Sequence, residues 1–348
     1  MNDNTDTSLL REVLASLPAA RFSFAYGSGA IPQNGVISRN RMLDFVVAVD
    51  GAEQWHRENM YVRGNNYHYS NLMRFFGPHA VASVQQSALG ARVYYNTLVP
   101  WKNGRLFKYG VITFSDLMED LKEWQTLYVS GRMHKPIKII KADKDIETAN
   151  ERNIENAACA ALLTLPERFD ETKFYERVAS LSYLGDPRLS VRAEDPNKVC
   201  KIVSSNREAF RRLYAPALRR LKTVVYWDSS GSGATQDMQT DAREALLKRL
   251  PSKFVHKMRA VLAEEELQHM TRSRRLLRST TVMKRLVARA VAAKGNEYCQ
   301  KALTGALCQT VRQSSTAQML KGVLTAGVVR STKYALSKLQ KGAVFAKV

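Results

Sequence analysis

The sequence has 348 residues, enough for two or three folded units, and its 45% hydrophobic and 24% charged residues are typical of a globular protein. No apolar run reaches the ~18 to 20 residues that a membrane-spanning helix needs, so we predict none. The net charge of +21 is concentrated in residues 272–348, which contain sixteen Lys and Arg and one acidic residue, Glu297. Such a segment attracts an anionic polymer or an anionic membrane surface.

The first predicted strand ends at a glycine–serine turn. Phe22, Phe24 and Tyr26 alternate with small residues, and Gly27-Ser28 follow directly. Such a turn presents backbone N–H groups and a hydroxyl at one point, as the phosphates of a nucleotide require, although the turn alone is weak evidence. The next apolar run begins at Asp44, and a carboxylate there is costly to bury without a cation or hydrogen-bond donors. We therefore predict that Asp44 binds Mg²⁺.

A second metal-binding carboxylate is not evident. Nucleotidyltransferases of the polymerase-β type carry two carboxylates two residues apart on this strand, but position 46 is Val. Asp50 would lie about 20 Å from Asp44 at ~3.3 Å per residue, and it forms a capping box with Glu53 in the favoured interpretation. Asp120 stays open as a second ligand, with a solvated position on its helix as the alternative.

The elements that follow predict an α+β fold with a mixed sheet. Helices are expected over 52–63, near 79–88 and over about 116–130, strands at RVYYNTL and RLFKYGVI, and a short strand after Pro136. Lys108 is a cation within a strand, which either pairs with an acid or neutralises the charge on departing pyrophosphate. His56 and His68 lie among aromatic residues and amides, and we expect both to be packed rather than catalytic.

From Asp145 onward the pattern is mainly helical. Two helices separated by a proline turn, then more helix and a strand at KTVVYW, predict a helix-turn-helix or winged-helix-like unit. The Ser/Gly-rich stretch 228–237 is expected to be a loop or linker. The predicted domains are 1–143, 144–240 and a basic helical C-terminal region, 241–348.

The C-terminal region contains two candidate membrane-contacting helices. In a helix over 276–294, one side would carry apolar residues and the other basic residues: Leu276, Met283, Val287, Ala290 and Val291 against Arg278, Arg285 and Arg289. Over 319–341 the pattern is less regular, since Lys338 shares the side of Leu320, Leu324, Val328 and Ala335. The alternative is that both helices cover the protein body with their basic residues outward.

The remaining signals concern compartment and targeting. Four cysteines lack metal-binding spacing and are expected to be buried or free thiols in a reducing compartment. The first twenty residues show neither a secretory signal nor an Arg-rich transit peptide, so import into an organelle would use an atypical signal.

Many motifs in a fixed order resemble one enzyme family. They are FAYGSGA, MLDFVVAVD, WHRENM, HYSNL, GARVYYNTLV, RLFKYGVI, LYVSGRMHKPIKII, LSYLGDPR and LKGVLTAGVVRSTKYALSKL. Together, from about residue 20 to about residue 340, they resemble the mitochondrial phosphatidate cytidylyltransferases, the CDP-diacylglycerol synthases of the translocator assembly and maintenance family.

The resemblance implies a polymerase-β-type nucleotidyltransferase domain, a winged-helix-like domain and a C-terminal region that touches the membrane. It also implies that CTP and phosphatidic acid react, with Mg²⁺, to CDP-diacylglycerol and pyrophosphate on the matrix face of the mitochondrial inner membrane. On the family pattern Gly27 and Ser28 bind the nucleotide phosphates, Asp44 the metal and Lys108 the triphosphate. Arg132, Lys135 and Lys138 are candidates for a substrate phosphate.

Two other functions are consistent with the same residues. The first is a nucleotidyltransferase acting on RNA, and the second is a non-enzymatic assembly factor at the membrane surface. The basic tail contains Leu, Val and Ala at helical spacing but few aromatic residues for base stacking, which favours lipid over nucleic acid, and no nucleic acid partner is expected.

Overall fold

Two sheets occur in the computed structural model, which describes residues 2–31, 41–88, 90–190, 197–228, 233–258 and 280–326. The first sheet contains β1 (Phe22–Tyr26), β2 (Leu43–Val49), β3 (Val93–Pro100), β4 (Leu106–Thr113) and β5 (Lys138–Lys141). The second contains β6 (Arg168–Asp170), β7 (Val225–Trp227) and β8 (Gly233–Gln236).

Helices surround both sheets. The α-helices are α1 (Asn2–Ala15), α2 (Ala52–Arg57), α3 (Asn71–Gln86), α4 (Phe114–Glu123), α5 (Ser130–Met133), α6 (Lys144–Leu162), α7 (Glu171–Ser180), α8 (Pro187–Ser190), α9 (Lys198–Ser205), α10 (Arg207–Arg220), α11 (Thr240–Arg249), α12 (Ser252–Met258), α13 (Thr280–Ala293) and α14 (Asn296–Ala326). A π-helix (Glu58–Val62) continues α2, and short 3-10 helices cover Asn65–His68 and Lys102–Gly104. The predicted α+β class is confirmed.

The five-stranded sheet is mixed, as predicted, and has the order β3-β4-β2-β1-β5. β2 and β4 are parallel, whereas the other pairs are antiparallel. Alternate residues of β2 enter two different cores, since successive strand residues point to opposite faces. Phe45 and Val47 pack with α1, and Val46 and Ala48 pack with α4 and α6. Covering both faces leaves the strand ends accessible, and the candidate site lies there.

Two helices differ from their predicted bounds. α3 begins at Asn71, earlier than expected, because Ser70 caps it by accepting a hydrogen bond from Met73 N, and it kinks at Gly77, whose φ is +76°. α4 ends at Glu123 and not near 130, because Trp124 adopts a left-handed conformation there. The chain then forms a loop around the carboxylate of Asp120.

The second sheet shows that the predicted loop over 228–237 is wrong for residues 233–236. β8 pairs with both β6 and β7 in antiparallel register, so residues 233–236 form its central strand. Gln236 explains why a polar stretch folds this way. Its buried side chain donates to the carbonyl oxygens of Leu162 and Leu165, which ties the strand to the end of α6.

The C-terminal helices belong largely to the protein core. Met283, Val287 and Val291 on α13 are buried in the same hydrophobic cluster as α6 and α7, while Arg285 and Arg289 point outward. The predicted interfacial helix over 276–294 is therefore wrong for residues 280–293, where the alternative holds, and Leu276 and Arg278 lie outside the described residues. None of the described helices is long and apolar enough to cross a membrane.

The end of α14 is different. Leu320 is 63% exposed, while Lys321 is buried and donates to Gln85 O of α3. Val328, Ala335 and Lys338, which belong to the second predicted stripe, lie outside the described residues.

Candidate active site

The site is built on a row of side chains across three adjacent strands. Tyr26 on β1 pairs in register with Asp44 on β2, and Asp44 pairs with Lys108 on β4. Residues opposite each other in a sheet point to the same face, so these side chains lie side by side at one end of the sheet. The structure therefore brings together Asp44 and Lys108, as the sequence predicts.

The glycine–serine turn closes over this row. Gly27 has a φ of +74°, a left-handed conformation that ends β1, and a Cβ at this position would lie 3.5 Å from Asp44 Oδ2. The amides of Ala30 and Ile31 bond to Gly27 O, so the chain turns tightly after Ser28. The carboxylate of Asp44 thus lies against the turn that is expected to bind phosphate.

Lys108 lies against an aromatic ring that sequence reasoning missed. Its Nζ is 4.4 Å from the centroid of the Tyr95 ring. That ring covers Gly110, where a Cβ would lie 2.6 Å from Tyr95 Cε1. Gly110 therefore leaves room for the ring, which positions the ammonium by a cation–π contact. The contact could not be predicted from the sequence, because it depends on the register of β3 against β4.

Arg132 lies next to two more tyrosines. Its Cζ is 3.9 Å from the Tyr128 ring centroid and 5.5 Å from that of Tyr26. The guanidinium also donates to Tyr128 O. The rings of Tyr95 and Tyr128 are 6.3 Å apart, so the tyrosines link Arg132 to Lys108. We call Tyr26, Tyr95 and Tyr128 the tyrosine cluster.

Arg188 is a second residue that sequence reasoning missed. Its guanidinium donates to both oxygens of the buried Asp186 carboxylate. Burial would raise the pKa of the Tyr128 hydroxyl, but Arg132, Lys108 and Arg188 together outweigh it and lower the pKa. Three cations therefore converge on this tyrosine. The motif LSYLGDPR contains Arg188, but its proximity to the strands follows only from the tertiary structure.

Lys135 joins the same group of cations. Its Nζ donates to Gly131 O at 2.7 Å and to Ser182 Oγ at 2.8 Å. Burial, and then the charges of Arg132 and Lys198, hold the pKa of this ammonium well below its usual value. An arriving phosphate would stabilise its charged form.

Lys138 is placed differently from the other predicted phosphate ligands. It begins β5 and pairs with Ala25 of β1 at the edge of the sheet. Its side chain is half-buried. The structure thus places Lys138 on the strand next to β1.

The histidines are structural, as expected. His56 bonds to Tyr69 OH and Gln85 Oε1, and His68 bonds to Tyr109 OH, each at 2.8 Å. Burial lowers the pKa of His56 to about 4, so its ring is neutral at physiological pH.

Two carboxylates differ from their predicted roles. Asp120 is neither a metal ligand nor solvated: it is buried, and its oxygens accept hydrogen bonds from the following loop, including the amides of Leu127 and Ser130. Asp50 does not cap α2, whose N-cap is Gly51 without a side-chain hydrogen bond. Instead, Asp50 lies 3.5 Å from Arg21 in an exposed ion pair.

The site fits a metal that is bound partly by substrate. Within the described ranges, no three His, Cys, Asp or Glu side chains form a group that could hold a metal ion. In phosphate-transfer sites, however, Mg²⁺ is usually bound by one or two carboxylates and by substrate phosphates. Asp44, next to the Gly27 turn and several cations, supplies such a carboxylate.

Comparison with known proteins agrees with the motifs. The family described as "Phosphatidate cytidylyltransferase, mitochondrial" matches residues 10–341. A relative of that name from Xenopus laevis is 38% identical over 337 residues, covering 95% of this chain and 93% of the relative. The Bos taurus relative is 37% identical, with coverages of 95% and 93%, and the Schizosaccharomyces pombe relative is 34% identical, with coverages of 91% and 79%. The resemblance is thereby confirmed, and the chain belongs to the mitochondrial phosphatidate cytidylyltransferase family.

Proposed function

We propose that this chain is a Mg²⁺-dependent phosphatidate cytidylyltransferase that makes CDP-diacylglycerol and pyrophosphate from CTP and phosphatidic acid. The observation that carries the proposal is the row Tyr26, Asp44 and Lys108 beneath the Gly27 turn, with Arg132 and Arg188 converging on the neighbouring Tyr128. A carboxylate beside a phosphate-binding turn, surrounded by cations, suits nucleotidyl transfer between two anionic substrates. The product would supply cardiolipin and phosphatidylglycerol synthesis.

The reaction needs charge neutralisation more than proton transfer. A phosphate oxygen of phosphatidic acid attacks the α-phosphorus of CTP, and the bond to the β-phosphate breaks as pyrophosphate leaves. The attacking group is already an anion near neutral pH, so it needs no strong general base. The work of the protein is to cancel repulsion and to hold the two phosphates in line. The buried, hydrogen-bonded state of His56 and His68 is consistent with this chemistry.

Each polar residue of the site has a role in this scheme. The turn at Gly27 and Ser28 binds the nucleotide phosphates through backbone N–H groups and the hydroxyl. Asp44 holds Mg²⁺, which when bound offsets the negative charge of the CTP phosphates. Lys108, held against Tyr95, stabilises the charge that develops on pyrophosphate. The cations near the tyrosine cluster and on β5 bind a substrate phosphate: Arg132, Lys135, Lys138 and Arg188.

The chain would work on the matrix side of the mitochondrial inner membrane as a peripheral protein. Residues 1–143 form the polymerase-β-type nucleotidyltransferase domain, 144–240 the winged-helix-like domain and 241–348 the basic C-terminal region. Because one side of α13 is buried in the core, the proposed membrane contact of that region lies outside this helix. A diacyl substrate costs ~0.8 kcal/mol for each methylene drawn from the bilayer, so the protein goes to the membrane.

One experiment separates this proposal from its alternatives. Purified full-length protein is given CTP and Mg²⁺ with vesicles containing phosphatidic acid, or with a short RNA. The proposal predicts CDP-diacylglycerol and pyrophosphate with the vesicles and no extension of the RNA. RNA extension without lipid product would favour the RNA enzyme, and no turnover of CTP with either substrate would favour a non-enzymatic role.

A further inference from the structure

Large apolar side chains are exposed on one surface of the N-terminal part of the chain. They lie on the π-helix, on the 3-10 helix after it and on the first half of α3, and Phe75 and Val62 are 83% and 77% exposed. We call this set the aromatic patch: Tyr61, Val62, Tyr67, Leu72, Phe75 and Phe76. Single exposed apolar residues are ordinary, but six on neighbouring elements mark an interaction surface.

The patch is one continuous surface and not a scatter of side chains. The rings of Phe75 and Phe76 are 5.2 Å apart and nearly perpendicular. Tyr61 reaches α3 from the π-helix, since its hydroxyl lies 3.6 Å from the position of a Cβ on Gly77. A shallow pocket of about 420 Å³ separates the two elements and is lined by Met60, Tyr61, Asn66, Asn71, Arg74 and Phe75.

A rigid layer supports the patch. Met60, Tyr69 and Met73 beneath it form a buried cluster with Tyr94 of β3. Asn59 of the π-helix donates to the hydroxyls of Tyr69 and Tyr109. The exposed rings are therefore attached to an ordered scaffold, so their exposure is a property of the fold. Two adjacent phenylalanines left in water forgo the favourable free energy of burial, which a partner surface would recover.

Positive charge predominates along the patch segment. No Asp or Glu occurs between Glu58 and Asp116, whereas Arg63, which lies 3.8 Å from Glu58, and Arg74 lie within the segment. Arg74 is exposed and lines the pocket between Tyr61 and Phe75. Aromatic rings with arginine between them match the interface of an anionic bilayer, where rings enter the headgroup region and guanidinium groups bind phosphate.

The position of α14 links the patch to the C-terminal tail. Near the end of α14, the ammonium of Lys321 donates to Gln85 O at 2.9 Å, and Gln85 belongs to the helix that carries Phe75 and Phe76. The last described turns of α14 therefore contact the second half of α3, after the kink at Gly77.

We propose that the aromatic patch docks the protein on the membrane by inserting into the headgroup boundary of an anionic bilayer, with Arg74 on a lipid phosphate. This inference rests on the proposed function, because a phosphatidic acid substrate resides in a bilayer. The basic tail supplies long-range attraction, and the patch supplies the apolar contact that fixes orientation.

The test replaces both exposed rings, Phe75→Ser and Phe76→Ser together, in the full-length chain. Sedimentation with vesicles of phosphatidylcholine and phosphatidylglycerol, without CTP, measures binding at low and at physiological salt. We expect vesicle binding to weaken about tenfold or more at both salt concentrations, since apolar insertion is lost. The control is Tyr226→Ser, because Tyr226 is a 59% exposed aromatic residue on β7, outside the patch. It should bind vesicles as the parent does.

Two outcomes would contradict a membrane as the partner of the patch. Equal vesicle binding by the double variant and the parent would overturn the proposal. A parent that is dimeric by light scattering, with a monomeric double variant, would also overturn it and make the patch an interface between two copies.

Activity on a water-soluble, short-chain phosphatidic acid separates this inference from the proposed function. If the double variant turns over the soluble substrate but loses activity on vesicles, the patch acts through the membrane. If the parent does not turn over either substrate, the proposed function fails, while the vesicle-binding comparison still tests the patch.

Discussion

Asp44 and Lys108 are neighbours across β2 and β4 and have opposite charges. Asp44 lies against the Gly27 turn, and Lys108 lies against the ring of Tyr95. The arrangement suits a site in which the carboxylate faces a metal-bound nucleotide and the ammonium faces its leaving group.

The first prediction concerns Asp44→Asn. The amide keeps the shape of the side chain but removes the charge that binds Mg²⁺, so CDP-diacylglycerol formation should fall to background. Circular dichroism and thermal unfolding should match those of the parent. Retention of more than a few per cent of the activity would contradict the assignment of Asp44 as the metal ligand.

The second prediction concerns Lys108 and Ser28. Lys108→Ala should lower kcat/KM for CTP by about 100-fold or more and should lower kcat as well, because its charge matters most as pyrophosphate departs. Ser28→Ala should mainly raise KM, since it removes one phosphate contact. Steady-state kinetics with varied CTP measures both effects. If Lys108→Ala has the same kcat and KM as the parent, Lys108 has only a structural role.

At the scale of elements, α5 packs closely against the segment leading to Arg188, and this contact brings the cations of the site together. A Cβ on Gly131 would overlap the side chain of Ser182. The absence of a side chain at Gly131 therefore lets α5 and the segment leading to Arg188 approach each other closely. This contact brings Arg132 and Lys135 near Arg188. Gly131 also accepts a hydrogen bond from Lys135 through its carbonyl oxygen.

The third prediction follows from that contact. Gly131→Ala should destabilise the fold by ~1–3 kcal/mol through overpacking and should lower activity by displacing Arg132. Gly322→Ala on α14 is the matched control, because nothing beyond its own helix lies within 4 Å of its Cβ position. Its stability should stay unchanged or rise by up to ~1 kcal/mol, since Ala is the better helix former, and its activity should stay near that of the parent. Urea unfolding and the vesicle assay measure the two effects. A fully active Gly131→Ala variant would show that the approach is dispensable.

The fourth prediction is a pH dependence of stability. Burial lowers the pKa of His56 to about 4 and that of His134 to about 3, from an ordinary value near 6.5. Below pH ~6.5 the unfolded chain therefore binds protons that the folded chain does not, and stability is lost as pH falls towards these values, by about 1.4 kcal/mol per pH unit for each histidine.

Urea unfolding between pH 7 and pH 5 tests this dependence. His134→Gln should reduce the slope of stability against pH, because it removes a buried imidazole that stays neutral in the folded chain. Equal slopes in the parent and in His134→Gln would contradict a neutral, buried His134.

The elements of the site could be predicted where the signal is local. Alternation in β1, the turn at Gly27 and the apolar run after Asp44 identify this end of the candidate site directly. The partners of Tyr128 could not be predicted, since Arg132 and Arg188 meet only through packing at Gly131. The amphipathic pattern of α13 was misleading, because burial against α6 and α7 produces the same periodicity as burial in a lipid surface.

On the scale of the whole molecule, charge and apolar exposure are divided between two ends of the sequence. The excess of Lys and Arg lies after residue 272, whereas the aromatic patch lies between residues 61 and 76. The contact between Lys321 and Gln85 connects them. A protein that reacts a soluble nucleotide with a bilayer lipid needs both attraction and orientation at the membrane.

The fifth prediction concerns the tail. Residues 316–326 contact the body, since Gln318 bonds to Ala91 N and Val93 O, so an informative truncation removes 327–348 only. This truncation should weaken binding to anionic vesicles in a salt-dependent way and lower activity on long-chain phosphatidic acid, while CTP binding is kept. Equal vesicle binding by truncated and full-length protein, at low and at physiological salt, would mean that the tail is not a membrane contact.

The central claim is nucleotidyl transfer to a lipid, and the position of a phosphate label tests it most directly. CTP labelled at the α-phosphate or at the γ-phosphate is incubated with the protein, Mg²⁺ and vesicles containing phosphatidic acid, and the lipid is extracted. The account predicts that α-label enters the lipid and γ-label appears in pyrophosphate, with neither transfer in Asp44→Asn. Label from the γ-phosphate in the lipid, or no label in the lipid from either CTP, would contradict it.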